Sequence, residues 1–190
     1  MRAFIAIELP QEIKTTLSRL QAKLKTAGAD VKWVEPKNIH LTLKFLGEID
    51  EQTIEKLNSC LEKIRKIKKP FTLNLSSPGA FPNPASPRVI WVGIKQGNTE
   101  IKEITLLLEK QSTEIGLTPE NREFSAHITI GRTRSGKNRR ELSKILSDLS
   151  QNSLEDNLFT VDKITFFKST LTSRGPVYEA IKEFHLSAIR

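Results

Sequence analysis

The chain has 190 residues, 37% of them hydrophobic, enough to bury a core in one compact domain without staples, and its single cysteine excludes a disulfide within the monomer. Thirty lysines and arginines against 22 aspartates and glutamates give a formal charge of +8, which favours polyanionic partners, nucleic acid first, in salt-sensitive encounters. The apolar start from Met1 to Ile7 breaks at Glu8 and Pro10, too short for a signal segment or a membrane span, so a reducing cytoplasm is the expected compartment and no membrane the expected partner.

A strand over residues 2 to 9 leads into a helix whose apolar positions Ile13, Leu17, Leu20 and Leu24 keep the 3.6 period until Gly28. Trp33 and a strand containing His40 follow, then a helix at about 51 to 67 and a strand at 71 to 75. The stretch Pro78 to Pro87 reads as an irregular loop. From Val89 the order restarts: strand Val89 to Ile94, a helix with Ile101, Ile104, Leu108 and Ile115 stopped by Gly116, a strand containing His127, and a helix with Leu142, Ile145, Leu146 and Leu149. Two strands, roughly 158 to 168 and 176 to 186, finish the chain.

In both halves a helix begins about thirty residues before the histidine and another follows it, the layout of an internal duplication. The expected architecture is α+β: a single bilobal domain over 1–190, with related lobes at roughly 1–87 and 88–190. Each lobe is a mainly antiparallel sheet with outer helices, and the two histidine strands face a central cleft.

His40-Leu41-Thr42-Leu43 and His127-Ile128-Thr129-Ile130 each set a histidine two residues before a threonine in a β-prone run. Alternation puts histidine and threonine on one face and the aliphatic pair on the other. With no carboxylate at a matching offset, the four residues make a poor metal site, and neither a metal nor a cofactor is expected. Imidazole titrates near neutrality, so one ring can accept a proton while the other donates one. Threonine hydroxyls can donate to nonbridging phosphoryl oxygens, so a phosphodiester fits all four groups.

The run Val31 to Gly47 (VKWVEPKNIHLTLKFLG), together with His127-Ile128-Thr129-Ile130-Gly131-Arg132, resembles the two-histidine phosphoesterase superfamily, specifically its RNA 2′,3′-cyclic phosphodiesterase or 2′-5′ RNA ligase branch. The opening Met1 to Ile7, the middle Gly79 to Asn83 and Pro87 to Gly93, and the late Gly175 to Tyr178 extend the likeness nearly end to end. That resemblance implies an RNA partner ending in a 2′,3′-cyclic phosphate, with tRNA fragments a guess from family habit, opened to a 2′-phosphate by a monomer. His40 would protonate the departing 3′ oxygen, His127 would take a proton from water, and Thr42 and Thr129 would grip the phosphoryl oxygens. A 5′-hydroxyl in place of water would form a 2′-5′ link. The alternatives are a noncatalytic module that holds RNA ends, or a phosphodiesterase for small cyclic nucleotides or 2′-5′ oligoadenylate.

Arg132 would add charge at the phosphate, yet strict alternation sends it to the face opposite His127, so the strand must end or bulge near Gly131. Lys44 falls by alternation on the His40 face, as a further substrate contact, and Phe45 among the buried Leu41 and Leu43. Trp33, Phe4 and Tyr178 are candidates to stack on a terminal base, against core packing as the other role. His185 lacks a partner threonine and reads as structural, and Cys60 as a buried thiol. The stretch Gly131 to Asn138 copies a phosphate loop until Asn138 replaces the required Ser or Thr. Of two basic runs, Lys63 to Lys69 reads as a solvated helix end, whereas Arg132, Arg134, Lys137, Arg139 and Arg140 lie where a substrate would pass.

Overall fold

The computed structural model describes residues 1–121, 123–151, 154, 157–173 and 175–187. In chain order the elements are β1 (Arg2–Glu8), α1 (Gln11–Lys25), β2 (Val31–Trp33), β3 (His40–Glu48), α2 (Glu51–Ile67), β4 (Phe71–Phe81), β5 (Val89–Gln96), α3 (Asn98–Glu114), β6 (His127–Thr133), α4 (Arg139–Ser150), β7 (Leu158–Val161), β8 (Lys163–Thr172) and β9 (Gly175–His185). They build an α+β fold of two antiparallel sheets, ordered β3-β1-β8-β9 and β2-β6-β5-β4-β7. Each sheet holds one histidine strand, but, contrary to expectation, the two sheets do not coincide with the halves 1–87 and 88–190. Each takes strands from both, because β8, with β9 beside it, pairs onto β1 while β2 and β4 pair onto β6 and β5.

The helices form where the apolar stripe is continuous: α1 buries Ile13, Leu17, Leu20 and Leu24, and α2, capped by the Asp50 carboxylate on the Thr53 N–H, buries Leu57, Leu61 and Ile64. These stripes and the helix-facing sides of both sheets share one core. On the other face of the first sheet a separate small cluster joins Phe4, Ala6 and Phe167, with Tyr178 against it. Among the described residues no helix is long and apolar enough to cross a membrane.

Two elements differ from expectation. The loop at Pro78 to Pro87 is shorter, because β4 runs on to Phe81. A proline fits there because β7 pairs with only the first part of β4, Phe71 to Asn74, and a register shift between Leu75 and Pro78 frees the ladder. The strand expected at 158 to 168 is two: β7 ends at Val161 in one sheet, and β8 starts at Lys163 in the other.

Candidate active site

His40 and His127 each head their strand and are held alike. The Nδ1 of His40 lies 2.8 Å from the Asn38 carbonyl and that of His127 lies 2.7 Å from the Ser125 carbonyl. A carbonyl only accepts, so Nδ1 carries the hydrogen in both rings and Nε2 is left to work. The His40 Nε2 sits 3.0 Å from the Thr42 hydroxyl. Strands β3 and β6 touch across the two sheets, which brings the motif strands together.

The surroundings of the two rings differ. His40 stacks on Phe4 at 4.8 Å, Phe4 stacks in turn on Phe167 at 5.1 Å, and Tyr178 meets His40 edge-on at 5.3 Å. Burial among these rings pushes the His40 pKa below its ordinary value and Lys14 adds to that, while the Asn38 carbonyl and Glu8 oppose it. His127 has Phe81 edge-on at 5.1 Å.

Both motif strands carry a bulge at the same place. In β3, Thr42 pairs with Ala6 and Lys44 with Ile5, which leaves Leu43 without an opposite residue. In β6, Thr129 pairs with Trp91 and Gly131 with Ile90, which leaves Ile130 without one. Each extra residue flips everything beyond it to the other face. Arg132 therefore emerges on the His127 face, as the bulge anticipated near Gly131 requires. Burial raises the Tyr178 pKa, and the charges of Arg132 and Arg2 oppose that rise, which places Arg132 within electrostatic reach of the phenol in the other sheet. Lys32, directly across from Arg132, adds a second exposed cation.

The same bulge overturns two expectations in β3. Lys44 is off the His40 face: it is 7% exposed and donates to Glu109 of α3 at 2.6 Å. Phe45 takes the site face, 68% exposed and 6.3 Å from Phe4, instead of packing in the core. Burial would raise the Glu109 pKa, but the bonds from Lys44 and the Glu120 N–H hold it below the ordinary carboxylate value. Lys44→Ala should lower stability by about 1–3 kcal/mol while leaving turnover intact below the melting range. The loss should shrink as pH falls through the depressed Glu109 pKa, where the wild-type pair itself weakens. Thermal unfolding of both proteins at several pH values checks this.

Phe4 is only 3% exposed, under His40, so it floors the site and presents no face to a base. Trp33 turns to the core side of its strand and covers Gly131, where an added Cβ would come within 2.9 Å of the indole. Tyr178 keeps its place beside His40. His185 stands exposed on β9 beside Glu183, and Cys60 is buried. Sequence reasoning missed Phe45, Lys32 and Gln21. Gln21, 2% exposed on α1, donates its amide to the carbonyls of Val34 and Ile130 at 2.8 Å each. It thereby props the residue that forms the β6 bulge. The signal was a glutamine four places after Leu17, on the buried stripe.

The family model of the LigT like Phosphoesterase matches residues 7–91 and again 92–178. The chain belongs to that family. Among its relatives in this two-histidine phosphoesterase family are proteins named RNA 2′,3′-cyclic phosphodiesterase. One from Methanocaldococcus jannaschii is 37% identical, covering 97% of this chain and 100% of its own. Another, from Methanothermobacter thermautotrophicus, is 32% identical, covering 98% and 99%. The crystal structure of E. coli LigT complexed with 3′-AMP superimposes with a TM-score of 0.80 at 26% identity, covering 98% of both chains. The Thermus thermophilus protein TT0787, at 24% identity and a TM-score of 0.83 over 100% of both chains, shares the fold.

Proposed function

We propose that this LigT-like phosphoesterase opens a 2′,3′-cyclic phosphate at an RNA end to a 2′-phosphate, with His40 as acid and His127 as base. The observation that carries this reading is the repeated unit: a histidine anchored through Nδ1 to the carbonyl two residues back, a threonine beside it, on two strands that touch. The names of the relatives support an RNA substrate. Water enters beside His127 and gives up a proton to its Nε2, the new P–O bond forms as P–O3′ breaks, and His40 protonates O3′. Thr42, Thr129 and Arg132 take the charge that develops on the phosphoryl oxygens. The cavity of about 320 Å³ beside His40, with Lys14, Lys37 and Tyr178 on its walls, suits the ribose and the nucleotide before it. A 5′-hydroxyl in place of water gives the 2′-5′ link by the same steps.

The depressed His40 pKa makes its imidazolium the stronger acid toward a poor alkoxide leaving group, at the cost of a smaller protonated fraction. Since only protonated His40 works as the acid, the residual kcat/KM of a His127→Ala variant, in which His40 is the one ring of the pair left to titrate, should fall as pH rises through a value below about 6.5, that of a free imidazole. An anionic diester favours imidazolium, so the kcat profile should fall at higher pH than kcat/KM. Rate profiles from pH 5 to 9 check this, and a kcat/KM that climbs throughout that range would count against a histidine acid.

The direct test is an RNA oligonucleotide ending in a 2′,3′-cyclic phosphate, incubated with chelator. A 2′-phosphate product is expected, and an unopened ring or a 3′-phosphate would overturn the assignment. We further propose that the halves at about 1–87 and 88–190 arose by duplication. In support, α1 begins at residue 11 and α3 at 98, each 29 residues before its histidine, and both motif strands bulge at the same position.

A further inference from the structure

Lys14 stands on the wall of the cavity beside His40, half-buried and in the first turn of α1. At that end of a helix the macrodipole disfavours a cation, so the ammonium does nothing for α1. Among the described residues no carboxylate pairs with it, and its hydrogen bond to the Lys37 carbonyl is long, 3.5 Å. The other charges on the same walls are already paired. Lys37 meets Glu35 at 3.0 Å, and the Glu8 carboxylate accepts from the Thr165 hydroxyl at 3.1 Å and meets Lys163 at 3.4 Å. A half-buried cation without an anion, in a cavity that adjoins the acid, suits an anion that arrives with the substrate.

An RNA end has one to offer. The nucleotide that carries the cyclic phosphate is joined through its 5′ oxygen to the nucleotide before it, and that phosphodiester bears a negative charge. A cyclic mononucleoside phosphate lacks the link. At about 320 Å³ the cavity is at the small end of organic ligand sites, room for one ribose and its 5′ phosphate.

Lys14 also acts on the ring beside it. Burial holds His40 below the ordinary imidazole pKa, Lys14 pushes the same way, and the Asn38 carbonyl and Glu8 push back. The groups that face the ring are thus Lys14 from α1, Glu8 from β1, the Asn38 carbonyl from the turn before β3, and Tyr178 from β9. The Tyr178 phenol, its pKa raised by burial, is neutral near pH 7. Among these groups only Lys14 opposes the imidazolium, and it is the one that a phosphodiester would neutralise.

We infer that Lys14 takes the phosphodiester on the 5′ side of the cyclic ribose, so that an RNA chain, and not a cyclic mononucleoside phosphate, switches His40 to its acid form. The inference rests on the reading of His40 as the acid. Once the phosphodiester offsets Lys14, the Asn38 carbonyl and Glu8 are left to favour the imidazolium, which gives its proton to O3′ as P–O3′ breaks. Lys14 is then a specificity residue: it tells a chain from a monomer at the group that does the chemistry.

The test compares kcat/KM on UpU ending in a 2′,3′-cyclic phosphate with kcat/KM on uridine 2′,3′-cyclic phosphate. The wild type should prefer the dinucleotide, the preference should fall roughly tenfold in Lys14→Met, and Lys14→Arg should keep most of it. A preference that Lys14→Met leaves unmoved, or a wild type without one, would overturn the inference. Histidine side-chain NMR gives a readout apart from turnover, with His40→Gln to assign the signal. UpU with free 2′ and 3′ hydroxyls should raise the His40 titration midpoint, uridine should not, and Lys14→Met should abolish the rise. A midpoint that UpU leaves in place would dispose of the switch whatever the kinetics. A wild type that opens neither cyclic ester defeats the hydrolytic reading instead, and the titration then decides the role of Lys14.

Discussion

Alanine at His40 or at His127 should reduce kcat on cyclic-phosphate RNA by about a hundred- to ten-thousand-fold, because each substitution removes one proton transfer from the transition state. The double variant should fall well short of the product of the two losses, since neither transfer has much value once the other is gone. The pH profiles of the single variants carry separate information. Loss of the acid should abolish the alkaline fall, and loss of the base the acidic rise. If His40→Ala removed the acidic rise instead, the two rings would have exchanged roles while the site itself stood. His40 packs on Phe4, so its alanine variant leaves a void, and His40→Gln, which retains more of the side-chain volume, is the better partner for unfolding measurements.

Arg132→Ala should cost about ten- to a hundredfold in kcat/KM, the scale of losing a charge-assisted donor to a phosphoryl group. Arg132→Lys should recover only part of this, since an ammonium keeps the charge but not the paired N–H groups. The β6 bulge gives the prediction a second arm. Gln21→Leu deprives the Val34 and Ile130 carbonyls of a buried donor, at a stability cost of about 1–3 kcal/mol. If the bulge is what aims Arg132, kcat/KM should fall in Gln21→Leu too, and the substitution should add little in an Arg132→Ala background. Equal effects in both backgrounds would reduce Gln21 to a stability role.

Much of this was legible in the sequence because its signals are local. Helical stripes such as Ile13, Leu17, Leu20 and Leu24 and the paired histidine-threonine runs are read from a dozen residues at a time. The errors at Lys44 and Phe45 share one physical origin in β3, where strict alternation does not hold past Thr42. The extra residue at Leu43 exchanges the faces of Lys44 and Phe45, and a bulge leaves no mark on composition. In β6 the same irregularity could be anticipated only because a guanidinium on the wrong face conflicted with its chemistry. Phe4 and Trp33 were ambiguous for another reason: an aromatic residue in a strand suits a core or a ligand equally, and only the neighbours packed on it decide. The division of residues 158 to 168 between two sheets depends on long-range pairing that no short window holds.

The order of strands has a bearing on how the two imidazoles stay in register. β4 is laid down early in the chain yet completes the sheet of His127, and β8 and β9, made last, complete the sheet of His40. The halves are clasped like folded hands, and a cut near residue 87 would leave each fragment with a raw edge where the other's ribbon belongs. A protein tied in this way cannot lose one motif and keep the other as a free-standing relic, because each histidine strand lies in a sheet that borrows strands from the other half.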